Sequence, residues 1–128
     1  LDEGGVRFDA SSNPARLEIL ADPNLLEQVI INLVLNACDA LSGRSHPRIE
    51  IDAALDDRGR PVIQVRDNGR GIPPENLDKV FVPFFSTKES GSGIGLSLSR
   101  QIMKLHGGSL IVASKPGQET VFTLRFKH

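Results

Sequence analysis

Tryptophan and tyrosine are absent from this chain of 128 residues, and cysteine and methionine occur once each. The lone Cys38 excludes an internal disulfide and any zinc site built on cysteines, and it fits a reducing compartment. Two positions after Asn36, it is expected to point off the asparagine face and to be buried, as free thiols usually are. An excess of charge is lacking as well: 15 basic and 16 acidic residues leave a net charge of −1, which provides no electrostatic footprint for DNA, RNA or an anionic membrane. Long apolar runs are missing too. The longest, Val29 to Leu35, is interrupted by Asn32 and falls far short of the roughly 20 residues of a membrane helix. No basic-then-apolar leader opens the chain. The expectation is a cytoplasmic domain that by itself contacts neither nucleic acid nor membrane. Its start at Leu1, without an initiator methionine, fits a piece of a longer protein.

What is present suffices for one compact domain over 1–128. Hydrophobic residues make up 39% of the chain, and the 12 glycines and 8 prolines fall mostly at turns. A domain of this length buries roughly two thirds of its extended surface. Val6 to Asp9 and Leu17 to Leu20 alternate weakly around Ser11, Ser12, Asn13 and Pro14, which predicts a short hairpin. Asp22-Pro23 predicts a helix start, the carboxylate capping free N–H groups and the proline sitting where its missing N–H costs nothing. That helix should run to about Leu41, before Ser42-Gly43. Arg48 to Leu55 and Pro61 to Asp67 read as strands joined by a polar turn. Pro73-Pro74 predicts a short helix to Phe81, and Val82 to Gly93 a mobile loop. The spacing of Leu96, Leu98, Ile102, Met103 and Leu105 predicts a second helix, with Gly107-Gly108 as its cap. Ser109 to Ala113 and Thr120 to Phe126 complete a hairpin. These elements predict an α/β sandwich, a mixed sheet with helices on one face.

Three segments carry the chemistry. Asn32 and Asn36 lie four apart and share a helix face with Gln28. Buried amides need partners, so they either tie the helix to neighbouring loops or contact a ligand. Asp67 ends a strand and is followed by Asn68-Gly69-Arg70-Gly71-Ile72. This is either a turn whose glycines take unusual backbone angles, or a carboxylate fixed to accept the exocyclic amine proton of adenine, with Gly69 and Gly71 letting the backbone approach the ring. Guanine would oppose an acceptor to an acceptor, so Asp67 favours adenine. Gly91-Ser92-Gly93-Ile94-Gly95 opens a helix, whose free N–H groups and positive end favour phosphate. It lacks the Lys-Ser/Thr ending of a P-loop. Magnesium keeps several waters and takes oxygen from one or two side chains plus phosphates. Asn36 could supply that oxygen without adding charge, and Lys88 could neutralise a distal phosphate.

Phe81, Phe84 and Phe85 are either core residues or a latch for the loop. Ile72, Val65 and Leu96 read first as core. Of the histidines, His46, His106 and His128 have no paired ligand or carboxylate, and His106 suits a helix C-terminus.

Together these segments resemble the catalytic ATP-binding domain of bacterial sensor histidine kinases, in the superfamily that includes gyrase, Hsp90 and MutL ATPases. Asn32 to Ala40 looks like the N box, whose second asparagine, here Asn36, binds magnesium. Asp67 to Gly71 resembles the G1 box, Phe81 to Phe85 the F box, and Gly91 to Leu96 the G2 box. Gly117 to Phe122 resembles the closing segment, where Thr120 helps hold a water beside adenine. The short Phe84-Phe85-Ser86-Thr87-Lys88 stretch is similar to the lid of the nitrogen-regulator type.

The resemblance implies a Bergerat-type fold with a mainly antiparallel sheet, binding ATP and Mg²⁺. It implies catalytic roles for Asn32, Asn36 and Lys88, with Asn36 as the metal ligand. It implies nucleotide contacts from Asn32, Asn36, Asp39, Asp67, Gly69, Gly71, Ile72, Phe81, Thr87, Lys88, Gly91, Ser92, Gly93, Ile94, Gly95, Leu96 and Thr120. The superfamily's hydrolases carry a glutamate where this chain has Asn32, so transfer of the γ-phosphate to a histidine on a separate dimerisation domain is implied over hydrolysis. The domain is expected to be monomeric, within a homodimeric parent that passes phosphate to a response regulator. The alternatives are an ATP-hydrolysing or ATP-gated module, or a nucleotide-binding regulatory module without kinase activity.

Overall fold

The structure is a computed structural model and describes residues 5–85 and 95–127. Asp22 caps the first helix, α1 (Pro23–Ala40): its Oδ1 accepts from the backbone N–H of Asn24 at 2.9 Å and of Leu25 at 3.1 Å. Such a cap contributes about 1 kcal/mol. Val29, Leu33 and Ala37, four apart, form the buried stripe of α1. The second helix, α2 (Gly95–Leu105), buries Ser99, Ile102 and Met103.

Five strands, β1 (Arg7–Asn13), β2 (Arg48–Leu55), β3 (Pro61–Asp67), β4 (Ser109–Lys115) and β5 (Glu119–Arg125), form one sheet in the order β1-β2-β3-β5-β4. Every pairing is antiparallel except β1 with β2. The inward face carries Ile49, Ile63, Val65, Leu110, Phe122 and Leu124, which pack against the apolar stripes of both helices. The outward face carries the Arg48–Glu50 and Arg66–Glu119 ion pairs and the Gln64–Thr123 hydrogen bond. Exposed pairs of this kind contribute at most about 1 kcal/mol each; they mark the solvent side of the sheet.

Two expected elements differ. Leu17 to Leu20 forms no strand, and β1 instead pairs in parallel with β2, bringing Phe8 beside Ile49 and Ala10 beside Ile51. Burying Phe8 on an existing apolar sheet wins over a two-stranded ribbon with little to cover it. The expected Pro73–Phe81 helix is one 3-10 turn, Pro74–Asn76. The chain winds on through bonds of the i to i+3 type, Lys79 N to Asn76 O, Val82 N to Lys79 O and Phe85 N to Val82 O, rather than α-helical ones.

Cys38 is exposed, against the expected burial. Its neighbour Ala37 faces the sheet, and a 100° step around α1 turns position 38 outward.

Candidate nucleotide-binding site

At the end of β3, Asp67 lies in register with Ile49 on one side and Thr120 on the other, and both Asp67 and Thr120 are only 2% exposed. Its Oδ1 accepts the Gly69 N–H at 2.9 Å. Burial pushes the Asp67 carboxyl up to about 6, although the Gly69 N–H and the charges of Arg70 and Arg44 pull it down. A carboxyl kept out of water with its charge only partly balanced is a recognised sign of a functional site.

The G1 loop is held from two sides. Arg70 N donates to Ala40 O at the end of α1, and Gly117 N in the β4–β5 turn donates to Arg70 O at 2.7 Å. Arg44 donates to the carbonyls of Asn68 and Gly117. A Cβ at Gly69 would meet Ala40 O at 2.5 Å. One at Gly71, whose φ is +75°, would meet Lys115 O at 2.7 Å. In the structure the direction of each missing Cβ is filled by protein backbone. They let the loop pack beside Asp67.

On α1, the Asn32 amide turns toward α2. Its Nδ2 donates to Gly95 O and to Ser99 Oγ, each at 3.2 Å, and its Oδ1 accepts from Gln28 Nε2 at 3.2 Å. Asn32 thus ties α1 to the start of α2. Asn36 and Asp39 follow on the same helix toward Ala40, half-buried. Gly95 presents its backbone to Asn32, with an added Cβ only in ordinary contact at 3.7 Å.

Phe81 stands edge-on to Phe122, with ring centroids 6.3 Å apart, and Arg100 lies 5.0 Å over its ring. It therefore fastens the chain to the core just before residue 86, whereas Phe84 is 79% exposed. Ile72 and Leu96 are half-buried against the core. Thr87, Lys88, Gly91, Ser92, Gly93 and Ile94 lie outside the described residues, as does most of the expected loop.

Two residues escaped the sequence reading. Ser114 Oγ accepts from Ile72 N at 2.7 Å, donates to Glu119 O at 2.8 Å and lies 3.2 Å from Thr120 Oγ1. Its signal was a polar residue in the inward register of a strand whose other inward positions are Leu110 and Val112. Ser99, fully buried, occupies the polar gap in the apolar stripe of α2. His106 stands at the C-terminal end of α2, as its sequence context suggested: its Nδ1 lies 2.8 Å from Ile102 O, and its Nε2 accepts from Asp22 N at 3.1 Å, joining the end of α2 to the start of α1.

A mostly antiparallel sheet under two opposed helices, with a buried carboxylate at a strand end beside an asparagine-bearing helix, defines the Bergerat class of ATP-binding domain. Residues 21–128 match the family described as "Histidine kinase-, DNA gyrase B-, and HSP90-like ATPase", and the chain belongs to it. Sensor histidine kinase ZraS of Escherichia coli K12 is 42% identical over 93% of this chain and 24% of its own length. Sensory histidine kinase/phosphatase NtrB of Vibrio alginolyticus is 36% identical over 93% of this chain and 36% of its own. The chain spans only about a quarter of the length of ZraS-type relatives. The catalytic domain of histidine kinase ThkA superposes with a TM-score of 0.82 at 33% identity, covering 94% of this chain and 78% of that one. Full-length ShkA in complex with AMPPNP does so with 0.82 at 27% identity, covering 97% and 26%. The chain is a catalytic ATP-binding domain of the histidine kinase type.

Proposed function

We propose that this domain binds Mg-ATP and delivers its γ-phosphate to a histidine on a separate dimerisation domain of its parent, which then supplies a response regulator. The observation that carries the reading is the buried Asp67 carboxyl, in register with Thr120, beside the end of the α1 helix that bears Asn32 and Asn36. Asp67 accepts the amine of adenine, and Ile72 and the G1 loop flank the base. The phosphates then lie toward the start of α2, where Gly91 to Leu96 offer backbone N–H groups and the helix's positive end, and Lys88 adds a cation. Phe81 fixes the near end of the intervening segment. Thr87 and Asp39 complete the proposed contacts.

Asn36 suits magnesium by its chemistry: it is a neutral oxygen donor, half-buried on α1 four residues before Ala40. Magnesium takes oxygen from one or two side chains, and the nucleotide's phosphates and waters would supply the rest of its coordination. Bound there, the ion would supply charge neutralisation for phosphoryl transfer. The chain's own share is to position the nucleotide, while the attacking imidazole comes from the partner domain.

Asn32 favours transfer over hydrolysis. A neutral amide already bonded to Gly95 and Ser99 has no base with which to activate a water. ShkA in complex with AMPPNP, a TM-score of 0.82 from this chain, supports the nucleotide reading. Among the described residues no helix is long and apolar enough to cross a membrane. We place the domain in the cytoplasm, monomeric by itself and within a homodimeric parent. Calorimetric titration with Mg-ATP tests binding, and formation of acid-labile phosphohistidine by the parent tests transfer. Saturable binding with negligible phosphate release by the isolated domain is expected; rapid release without a partner would establish the hydrolase reading instead.

A further inference from the structure

We propose that the open edge of β4, overhung by two cations of α2, takes up an extended acidic segment of a partner protein as a sixth strand. This face lies outside the nucleotide reading above and is tested independently of it.

The sheet order leaves two edges, β1 and β4. Natural sheets guard their edges against pairing with other chains by placing charge and proline there. The β1 edge is guarded in this way: it carries Arg7 and Asp9, paired at 3.0 Å, and Pro14 follows its last residue. In contrast, β4 has no charge from Ser109 to Ser114 and no proline. Lys115 O turns toward β5, where it accepts the Gln118 N–H at 2.9 Å. Main-chain groups alternate in direction along an antiparallel edge strand, so those of Leu110, Val112 and Ser114 face the open side. Among the described residues, no main-chain group outside the sheet bonds to them.

The helix above this edge carries charge of one sign. α2 packs over β4, whereas α1 packs over β2 and β3. On α2, Gly95 and Ser99 meet α1 through the Asn32 amide, and Ile102 and Met103 are buried. With roughly 100° between successive helical residues, Arg100 and Lys104 project to the side away from α1, which is the side of the open edge. Arg100 lies 5.0 Å over the Phe81 ring. Among the described residues, no carboxylate pairs with it or with Lys104. Neither α2 nor β4 contains an acidic residue.

These features select the occupant. A strand added beside β4 points alternate side chains toward α2 and toward the solvent face of the sheet. Carboxylates in the first set meet Arg100 and Lys104, and apolar groups in the second lie against Ile111, which is 45% exposed. The main-chain bonds give affinity, and the alternation gives specificity.

The test uses the full 128-residue chain and a fluorescently labelled, end-blocked peptide of seven residues, the length of β4, alternating glutamate and valine. Saturable binding at pH 7.5 and low salt, read by anisotropy, is expected. Replacing every glutamate of the peptide by lysine should abolish it. Methylating the peptide's main-chain nitrogens keeps charge and side chains but removes strand pairing, and should abolish it too. Arg100→Gln together with Lys104→Gln, both at exposed positions, should weaken binding roughly five- to tenfold. On saturation the amide protons of Leu110 and Val112 should exchange at least about tenfold more slowly, while those of Ile111 and Ala113, which point to β5, should not change.

No saturable binding of the glutamate peptide by the folded chain overturns the proposal. So does equally tight binding of the lysine peptide, which removes charge selection, or of the methylated one, which removes strand pairing. Unaltered exchange at Leu110 and Val112 in the bound state is equally decisive. A concentration-dependent dimer that slows the same two amides without peptide would give the edge to a second copy and overturn the acidic partner.

Discussion

Asn32 Nδ2 lies 3.2 Å from the carbonyl oxygen of Gly95, so the first asparagine of the N box is joined to the first residue of α2. The same nitrogen reaches Ser99 Oγ one turn further on, and Gln28 closes the amide from the other side. The glycine-rich segment that resembles a phosphate-binding loop ends at this contact. The position that in hydrolases of the superfamily would carry a carboxylate here anchors the end of that loop.

Asn32→Ala should therefore cost stability before it costs chemistry. It removes three side-chain hydrogen bonds and leaves the fully buried Ser99 hydroxyl without its partner. A loss of roughly 1–3 kcal/mol is expected, read as a lower urea midpoint. An unchanged midpoint would mean that the Asn32 amide does not anchor α2.

Asp67→Asn should weaken Mg-ATP binding by at least about tenfold while making the empty domain more stable at pH 7.5. The folded carboxyl titrates near 6, above its unfolded value of 3.8. Between those two values the folded state holds the proton more tightly, so stability falls as pH rises through this window and stays reduced above it. The asparagine carries no such penalty and can still accept the Gly69 N–H. Its thermal midpoint at pH 7.5 should be a few degrees higher, an order-of-magnitude expectation, and the difference should vanish near pH 4. A midpoint equal to or below that of the parent chain at pH 7.5 would contradict the burial penalty.

Nucleotide affinity should fall with acidification through the same group. Below about 6 the Asp67 carboxyl takes up a proton and loses an acceptor for the adenine amine, so Mg-ATP affinity should fall between pH 7.5 and pH 5. Titrations at the two pH values measure it, with Asp67→Asn as the control that should show the smaller fall. Equal falls in the two chains would remove Asp67 from base recognition.

The glycines should divide into two groups. Gly69→Ala places a Cβ 2.5 Å from Ala40 O, and Gly71→Ala combines a contact of 2.7 Å with a φ of +75°. Each should destabilise the fold by about 1–3 kcal/mol. Gly95→Ala meets only the Asn32 side chain at 3.7 Å, and alanine suits a helix better than glycine. It should leave the denaturation midpoint unchanged or raise it. Equal losses at all three positions would contradict the packing account of the G1 loop.

Asn36→Ala should abolish the difference in ATP affinity between magnesium and excess chelator. An asparagine that only supports the fold would lower both affinities together and preserve their difference.

Much of this molecule was readable without coordinates. Asp22-Pro23 announced the start of α1, because a capping carboxylate and a proline act within a few residues. Pro61 to Asp67 read as a strand, which placed the Asp67 carboxylate at a strand end, directly before the turn that holds Gly69 and Gly71. The partner of β1 was not readable, since parallel pairing of Phe8 with Ile49 depends on residues 41 positions apart and leaves no local mark. Pro73-Pro74 was overread for a similar reason: local propensity allowed a helix, while the observed bonds follow the tighter i to i+3 pattern. Ser114 was passed over because a serine in a strand is unremarkable until Ile72, Glu119 and Thr120 are brought to it.

By itself, the sequence determined the class of the domain, the two helices, most of the strands and the identity of the groups available for chemistry. Caps, apolar periodicity and glycine-rich spacings are short-range properties, and they survive being read along a line. Tertiary structure alone decided that Gly69 and Gly71 serve packing, that Asn32 holds the start of α2, that Asp67 is buried enough to titrate near 6, and that Ser114 receives Ile72. Each of these depends on desolvation or on where a proton finds its acceptor, and both are settled by atoms that only the folded chain brings together.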